Sequence, residues 1–509
     1  MKITIAALGA AMLACLISAA SAVTSDETTN SPNALQPERS KLQAVIADVR
    51  KKGFDNATLT ASLKAVLDDP AFAALSDEER HIAYFIYGGL LHDARNWVAA
   101  QGPIKTASEM PQAGAFDWDL RLANDFGLRD YPDAVAAATK LARTSPGKLS
   151  RYTDDGIFLL AREAGKLAPD VEDNFLEALH QAGWQPKNEF ATADTLSLSL
   201  IRLRLAHGDT PGAKAAAAQL RDPASVLALS IDKRFDGVVR DDPAHFDVMK
   251  AYETSLADLK AKSALAPDKL DGVNTIAEQL IAMTRYDEAL AMTTSALDRL
   301  KADPKAFSDA ADKRNWTEDI HSRALFNLGR DDEGFAALAA GAAEKENGQV
   351  NVSQPINLAD EYNLRDRPKD ALNAVASLDL SNASDFGRMA LQDARGCAYF
   401  SLGDTANLNK VLDYIRAHKR DGTQPYLNVM LFTGHLDDVA AEVIAELQDP
   451  AQRSDILGYL QDYAPDPHPT KRGAAMHEAW IAIRARPDVA AEIAKVGYIN
   501  KYPLHLPTY

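Results

Sequence analysis

Cysteine is almost missing from this chain, with two residues, Cys15 and Cys397, in 509. If the first 22 residues are removed on export, Cys397 stands alone and no intrachain disulfide can form, so stability must come from packing. Glycine (27) and proline (24) are sparse, which argues against sandwiches and barrels built on many tight turns. Positive charge is short as well. Lys and Arg total 55 against 72 Asp and Glu, a net charge of −17, so attraction to nucleic-acid phosphates is disfavoured and no nucleic-acid partner is expected. Beyond residue 22 no segment approaches 18 unbroken apolar residues, so no membrane span is expected after signal cleavage. A Gly-rich phosphate loop, His-Glu-x-x-His, Gly-x-Ser-x-Gly and a calcium loop are all lacking, and no metal or other cofactor is expected.

What is present begins with a leader. Lys2, the apolar run Ile3 to Ile17 and the small residues Ala20-Ser21-Ala22 read as a secretory signal cut before Val23. Met12-Leu13-Ala14-Cys15 fits a lipidation box loosely, and an uncleaved anchor is the other alternative. The expected location is periplasmic or secreted. Residues 23–40 are polar, carry two prolines and lack apolar periodicity, as a flexible leader does.

From about Lys41 to Val496 apolar residues recur at three- and four-residue steps, as in Leu59, Leu63, Val66 and Leu67. Breaks of Gly, Asp or Pro fall every 12 to 20 residues, and alanine, the best helix former, is abundant. The regular breaks conceal a repeat. Six segments share one plan, an apolar helix, a polar turn and a helix opening with acids and a small residue. They begin at Leu200, Ala277, Ser322, Ala359, Gly396 and Leu427, with a looser seventh at Arg121. Their turn residues are Gly208, Thr284, Gly329, Asp366, Gly403 and Gly434.

Each position has a physical role. Ala277, Ser322, Ala359 and Gly396 are small, so the companion helix can approach, and Leu280, Leu325, Tyr362 and Tyr399 fill the groove three residues later. The turn residue tolerates left-handed dihedrals. Asp287-Glu288 and Asp332-Glu333 complement the dipole of the second helix. Ala289, Gly334 and Ala371 permit close packing again.

In these residues the sequence resembles the tetratricopeptide-repeat family. Gly396, Tyr399, Gly403 and Asp404 match its pattern, as do Ala359, Tyr362 and Ala371, and Ala277, Tyr286, Ala289 and Ala296. The resemblance covers residues 120–450, and residues 41–120 match poorly. It implies an all-α fold, a right-handed superhelical solenoid of antiparallel helix pairs. A looser αα-solenoid or a closed ring of helical hairpins satisfies the same pattern. The expected division is a signal peptide (1–22), a leader (23–40), degenerate repeats (41–120), tetratricopeptide-like repeats (121–450), and capping helices with a tail (451–509).

The resemblance further implies that the first helix of each pair lines a groove that grips a peptide or a partner helix. Carried onto this chain, its positions are Asp319, Arg323 and Asn327, then Asn357, Asp360 and Asn363, then Asp393. The leading reading is an exported scaffold that binds a protein or peptide in the cell envelope. A polysaccharide-acting enzyme with an αα-ring and a structural subunit of an envelope assembly are the alternatives. Four other features read as structural rather than chemical. Asp117-Trp118-Asp119 reads as a helix start, Ser145 to Lys148 as an inter-helix turn, and Cys397 as a small buried side chain. His468, His477 and His505, 9 and 28 residues apart, lack the i, i+4 spacing that sets two ligands on one helix face.

Overall fold

The structure, a computed structural model, describes residues 40–44, 47, 57–346, 348–378, 381 and 383–505. The expected signal peptide, Cys15 and almost all of the leader lie outside the described residues. The chain divides into two compact units, Met1–His207 and Gly208–Tyr509. Among the described residues 25 α-helices account for the architecture, and pairing of extended backbone is limited to isolated bridges. The first unit holds α1 (Ala57–Leu67), α2 (Asp77–Asp93), α3 (Trp97–Glu109), α4 (Ala115–Leu128), α5 (Tyr131–Thr144), α6 (Asp154–Ala164), α7 (Pro169–Gln181) and α8 (Asp194–Ala206). The second opens with α9 (Thr210–Ala217), α10 (Pro223–Ile231), α11 (Asp236–Val239) and α12 (Val248–Leu265). Four helix pairs follow: α13 (Leu270–Ala282) with α14 (Tyr286–Ala302), α15 (Ala310–Asn327) with α16 (Asp331–Ala343), α17 (Ser353–Leu364) with α18 (Pro368–Ala374), and α19 (Asp385–Leu402) with α20 (Thr405–Ala417). The unit ends with α21 (Thr423–Phe432), α22 (Leu436–Gln448), α23 (Arg453–Tyr459), α24 (Lys471–Arg484) and α25 (Pro487–Val496). The fold is all-α, and in the second unit each first helix packs on its own partner and on the first helix of the next pair.

The turns explain why the helices stop where they do. All six predicted turn residues have positive φ: Gly208, Thr284, Gly329, Asp366, Gly403 and Gly434. Five of them close the same pair of bonds. At Thr284, for example, its N–H donates to Ile281 O (2.9 Å) and the next N–H, of Arg285, donates to Leu280 O (2.8 Å). This left-handed cap satisfies carbonyls that the helix end would leave open. The residue after the turn then caps the next helix. Asp209 and Asp404 accept from the N–H three residues on. Arg285, Arg330 and Arg367 instead reach the acid three residues on, Glu288, Glu333 and Asp370. The same left-handed turn occurs at Arg129, in the looser seventh segment, and at Arg95 between α2 and α3, where the repeat pattern is not evident.

Packing follows the small positions. Ala277, Ser322 and Ala359 are fully buried. A Cβ on Gly396 would meet Val429 at 2.8 Å and Val411 at 2.9 Å, and one on Gly334 would meet the Phe326 ring at 2.6 Å. Ala371 sits among Ile356, Ala359, Leu391, Ala394 and Ala398, where α17, α18 and α19 meet.

The second unit is tied end to end. α10 near its start packs on α23 near its end. Between them Asp232, fully buried, accepts from Arg234 and from the Ser454 hydroxyl (3.0 Å) and pairs its backbone with Gly497. Residues 451–505 therefore return along the unit. His468 lies against Gly329, and Arg472 sits over the rings of Phe400 (5.7 Å) and Phe432 (4.5 Å). Met476, Trp480, Ile483, Val489 and Ile493 are buried along the way, at roughly 1.5–3 kcal/mol for each large apolar side chain.

Candidate partner-binding wall

The first helices α13, α15, α17, α19 and α21 stand side by side, and polar side chains link each to the next. Between α13 and α15, Asn274 donates to Lys313 O (3.2 Å) and accepts from Thr317 Oγ1 (2.8 Å). Between α15 and α17, Asn315 donates to Gln354 Oε1 (2.9 Å) and Asn357 to Asp319 Oδ2 (2.6 Å). Between α17 and α19, Asn363 donates to Ala394 O (2.8 Å). Between α19 and α21, Asn428 donates to Asp393 Oδ2 (2.7 Å). A net contribution of about 1 kcal/mol per bond is ordinary, but removing one partner strands the other in the interior at greater cost.

Of the seven sequence-predicted residues, Asp319, Arg323, Asn357, Asn363 and Asp393 take part in bonds between neighbouring first helices, whereas Asn327 and Asp360 do not. Asp319, Asn363 and Asp393 are buried and hold neighbouring helices together. Asn327 donates to Arg323 O of its own helix (2.8 Å), and among the described residues its Oδ1 has no partner. Arg323, Asn357 and Asp360 are half-buried. Arg323 donates to Glu278 on α13 (2.8 Å), with its Nε 3.3 Å from Asp319 Oδ1. Asp360 is bonded by no group among the described residues.

The electrostatics are those of acids crowded in a poor solvent. Burial pushes the Asp319 carboxyl up, with Arg323 and Asn357 acting against it. Burial, followed by the charges of Asp393 and Glu361, pushes Asp360 well above the ordinary carboxylate range. Burial raises Asp393 too, against bonds from Asn428 and Cys397. The Cys397 thiol, which donates to Asp393 Oδ1 (3.4 Å), is held protonated by burial and by the two aspartates. Asp360 and Asp393 are the nearest thing in the wall to a carboxylate pair with separated roles. Glycosidic cleavage needs both groups to face one substrate, whereas the oxygens of Asp393 are taken by Asn428 and Cys397.

The remaining motifs settle into packing. Asp117 caps α4 by accepting from Gly114 N–H (2.8 Å) and contacts His81 Nε2 (2.7 Å). Asp119 accepts from the Tyr152 hydroxyl (2.9 Å) and pairs with Arg151 and with Lys148 (3.5 Å). Trp118 lies under Arg121 (5.1 Å). His468 and His505 pack at separate turns, against Gly329 and Tyr286. Among the described residues no group of three His, Cys, Asp or Glu side chains is arranged to hold a metal, and no helix is long and apolar enough to cross a membrane.

Sequence reasoning missed a buried network in the first unit. Arg121 on α4 forks onto Asp133 of α5 (2.6 and 3.1 Å) and also donates to Ser108 and Glu109 on α3. Beside it Asp125 is buried, its Oδ2 unpartnered among the described residues, and burial, with the charge of Asp133, raises its pKa to about 7. The one signal available was the 12-residue spacing of Arg121 and Asp133, which spans a helix turn.

No family model and no curated protein matches the sequence. Two similar solved structures are the "Crystal structure of APC/C hetero-tetramer Cut9-Hcn1" and the "Structure of Naa15/Naa10 bound to HypK-THB". The first is 11% identical, covers 90% of this chain and 89% of that chain, and has a TM-score of 0.28. The second is 14% identical, covers 90% and 72%, and has a TM-score of 0.26. Both likenesses are loose, and function is read from this chain's own side chains.

Proposed function

We propose that this chain is an exported scaffold of the cell envelope whose second unit binds a protein or peptide partner along the wall of α13, α15, α17 and α19. The observation that carries the reading is the ladder. It ties each first helix to the next and leaves Glu278, Arg323, Asn357 and Asp360 wholly or partly exposed across three successive hairpins. A helical wall has no free backbone edge, so orienting a partner falls to such side chains, here a guanidinium, an amide and two carboxyls. Lys2, the apolar run to Ile17 and Ala20-Ser21-Ala22 support export, and with it a periplasmic or secreted scaffold.

A photo-crosslinking side chain at Glu278, which is exposed on α13, tests the reading, with Thr294 on the exposed face of α14 as the control. A discrete protein adduct from position 278 and none from 294 is expected in cell-envelope fractions. No adduct from 278, or the same adducts from both positions, would remove the wall from the function.

A further inference from the structure

The second unit already holds an extended peptide, and that peptide is its own. After α25 the chain passes the buried Gly497 and runs extended through residues 498–505 beside the connector 461–464. Asp462 N–H donates to Asn500 O (3.0 Å), Tyr502 N–H to Asp462 O (2.9 Å), and Ala464 N–H to Leu504 O (2.8 Å). The two bonds at Asp462, with the parallel bridge to Lys501, are those of two strands side by side, and the bond from Ala464 reaches two residues further, past a bend at Pro503. Gln461 clamps the start of the segment, donating to Tyr498 O (2.9 Å) and accepting from Asn500 N–H (2.8 Å). At the other end His505 N–H donates to Ala282 O of α13 (2.7 Å). Exposure alternates as on a strand: Lys501 and Pro503 face out, Tyr502 and Leu504 face in. Pro503, which has no N–H to give, faces outward where none is needed.

The groove is built for this shape. Tyr502 meets Tyr463 with ring centroids 6.2 Å apart, and Leu504 is fully buried. His505 meets Tyr286 edge-on at 6.0 Å, yet among the described residues the buried Tyr286 hydroxyl has no partner, so residues 498–505 satisfy the groove incompletely. Tyr498 anchors the start of the segment, its N–H donating to Ile231 O (2.9 Å) and its hydroxyl to Asp236 Oδ2 (2.9 Å), and beyond it the hold is narrower. Helices α24 and α25 commit five large apolar side chains to the core, whereas residues 499–505 commit two, and Ile499 stays 37% exposed.

We propose that the groove between residues 461–464 and α13 is a peptide-binding site for extended segments of aromatic-x-Leu pattern, with residues 498–505 as its resident occupant and a partner's segment entering in their place. This goes beyond the wall and rests on the reading of the second unit as a protein-binding scaffold: it assigns that unit a separate groove and names the ligand chemistry there. The site works by strand addition: the backbone of 462 and 464 supplies affinity, and the Tyr502 and Leu504 positions supply specificity.

The test uses the full chain and a labelled synthetic peptide of residues 498–505. Leu504→Asp lifts the resident segment. The peptide is expected to bind this variant at least tenfold more tightly than the unaltered chain, where the tethered segment competes at an effective concentration in the millimolar range. A peptide carrying Leu504→Asp is expected not to bind. A folded variant that binds no better than the unaltered chain, or binds both peptides alike, overturns the proposal, and so does a stable dimer of the unaltered chain held through this segment. If Leu504→Asp does not fold, hydrogen exchange on the unaltered chain decides. The Ala464 and Tyr502 amides should exchange at least 100-fold faster than those around Trp480, through local opening, and equal protection would make the segment an integral part of the core. The crosslinking at Glu278 does not involve this groove, so failure of one result leaves the other readable.

Discussion

Asp125→Asn is the most informative single change in the first unit. In the folded chain burial, then Asp133, and to a lesser degree Asp130, raise the carboxyl from 3.8 to about 7, against Arg121 and Lys105. The sign follows from proton counting. Between these two values the folded state binds more protons at this site than the unfolded state, so stability falls as pH rises from about 4 to about 7 and stays low above that. At about 1.4 kcal/mol per tenfold change in equilibrium, the full penalty at pH 8.5 is roughly 4 kcal/mol. Asparagine has the same shape and no charge to bury. The variant should therefore gain roughly 2–4 kcal/mol at pH 8.5 and about nothing at pH 4. For a unit of this size that is a rise of roughly 5–15 °C in the melting transition at the higher pH. Paired melts at both pH values give the answer. Asp133→Asn is the control of opposite sign, since it takes the forked carboxylate from the buried Arg121 guanidinium and leaves it Ser108 and Glu109, at a cost of about 1.5–3 kcal/mol. An equal effect of Asp125→Asn at both pH values, or destabilisation at pH 8.5, would refute the placement of Asp125 beside Asp133 in a dry network.

Three further outcomes are expected. Ala371→Arg, forcing a guanidinium among Ala359, Leu391 and Ala398, should destabilise the second unit by several kcal/mol in a denaturant melt, whereas an unchanged midpoint would place Ala371 outside the core. Thr284 is a β-branched residue held at φ 58°, so Thr284→Gly should raise stability by about 1 kcal/mol, and a loss would mean that its side chain supports the turn. N-terminal sequencing of the chain recovered from cell-envelope fractions should begin at Val23, and finding Met1 or a lipid on Cys15 would remove the export reading.

The turns were the most legible feature. Gly208, Gly329, Gly403 and Gly434 announce left-handed caps by composition, and repetition then locates Thr284 and Asp366, which composition alone does not mark. Arg95 makes the same turn between α2 and α3 and stayed hidden, because neither a turn-forming residue nor a clear repeat marks it. The ladder was half legible. Its positions follow from the repeat register, but register cannot tell a residue that faces a groove from one a few ångströms deeper that bonds the neighbouring helix. Asn327 and Asn363 lie 36 residues apart, one short of the 37-residue step from Gly329 to Asp366, and that one-residue offset separates them: Asn363 is buried on Ala394 O and Asn327 bonds its own helix. The return of residues 461–505 had no local signature. Pro465-Asp466-Pro467-His468-Pro469 marks an extended connector, but its destination is fixed by long-range contacts such as His468 on Gly329.

Wall-directed binding is tested most directly by the affinity of the protein crosslinked from position 278 for a chain carrying Arg323→Gln and Asp360→Asn. Both side chains are half-buried; Asp360 bonds no neighbouring helix among the described residues, and Arg323 reaches α13 only through its ion pair with the exposed Glu278, which is worth little to stability. Titration calorimetry should show binding weakened by roughly 1–3 kcal/mol, the cost of two lost or mismatched interface hydrogen bonds, with an unchanged melting temperature. Unchanged affinity in a folded variant would contradict the claim that this wall holds the partner.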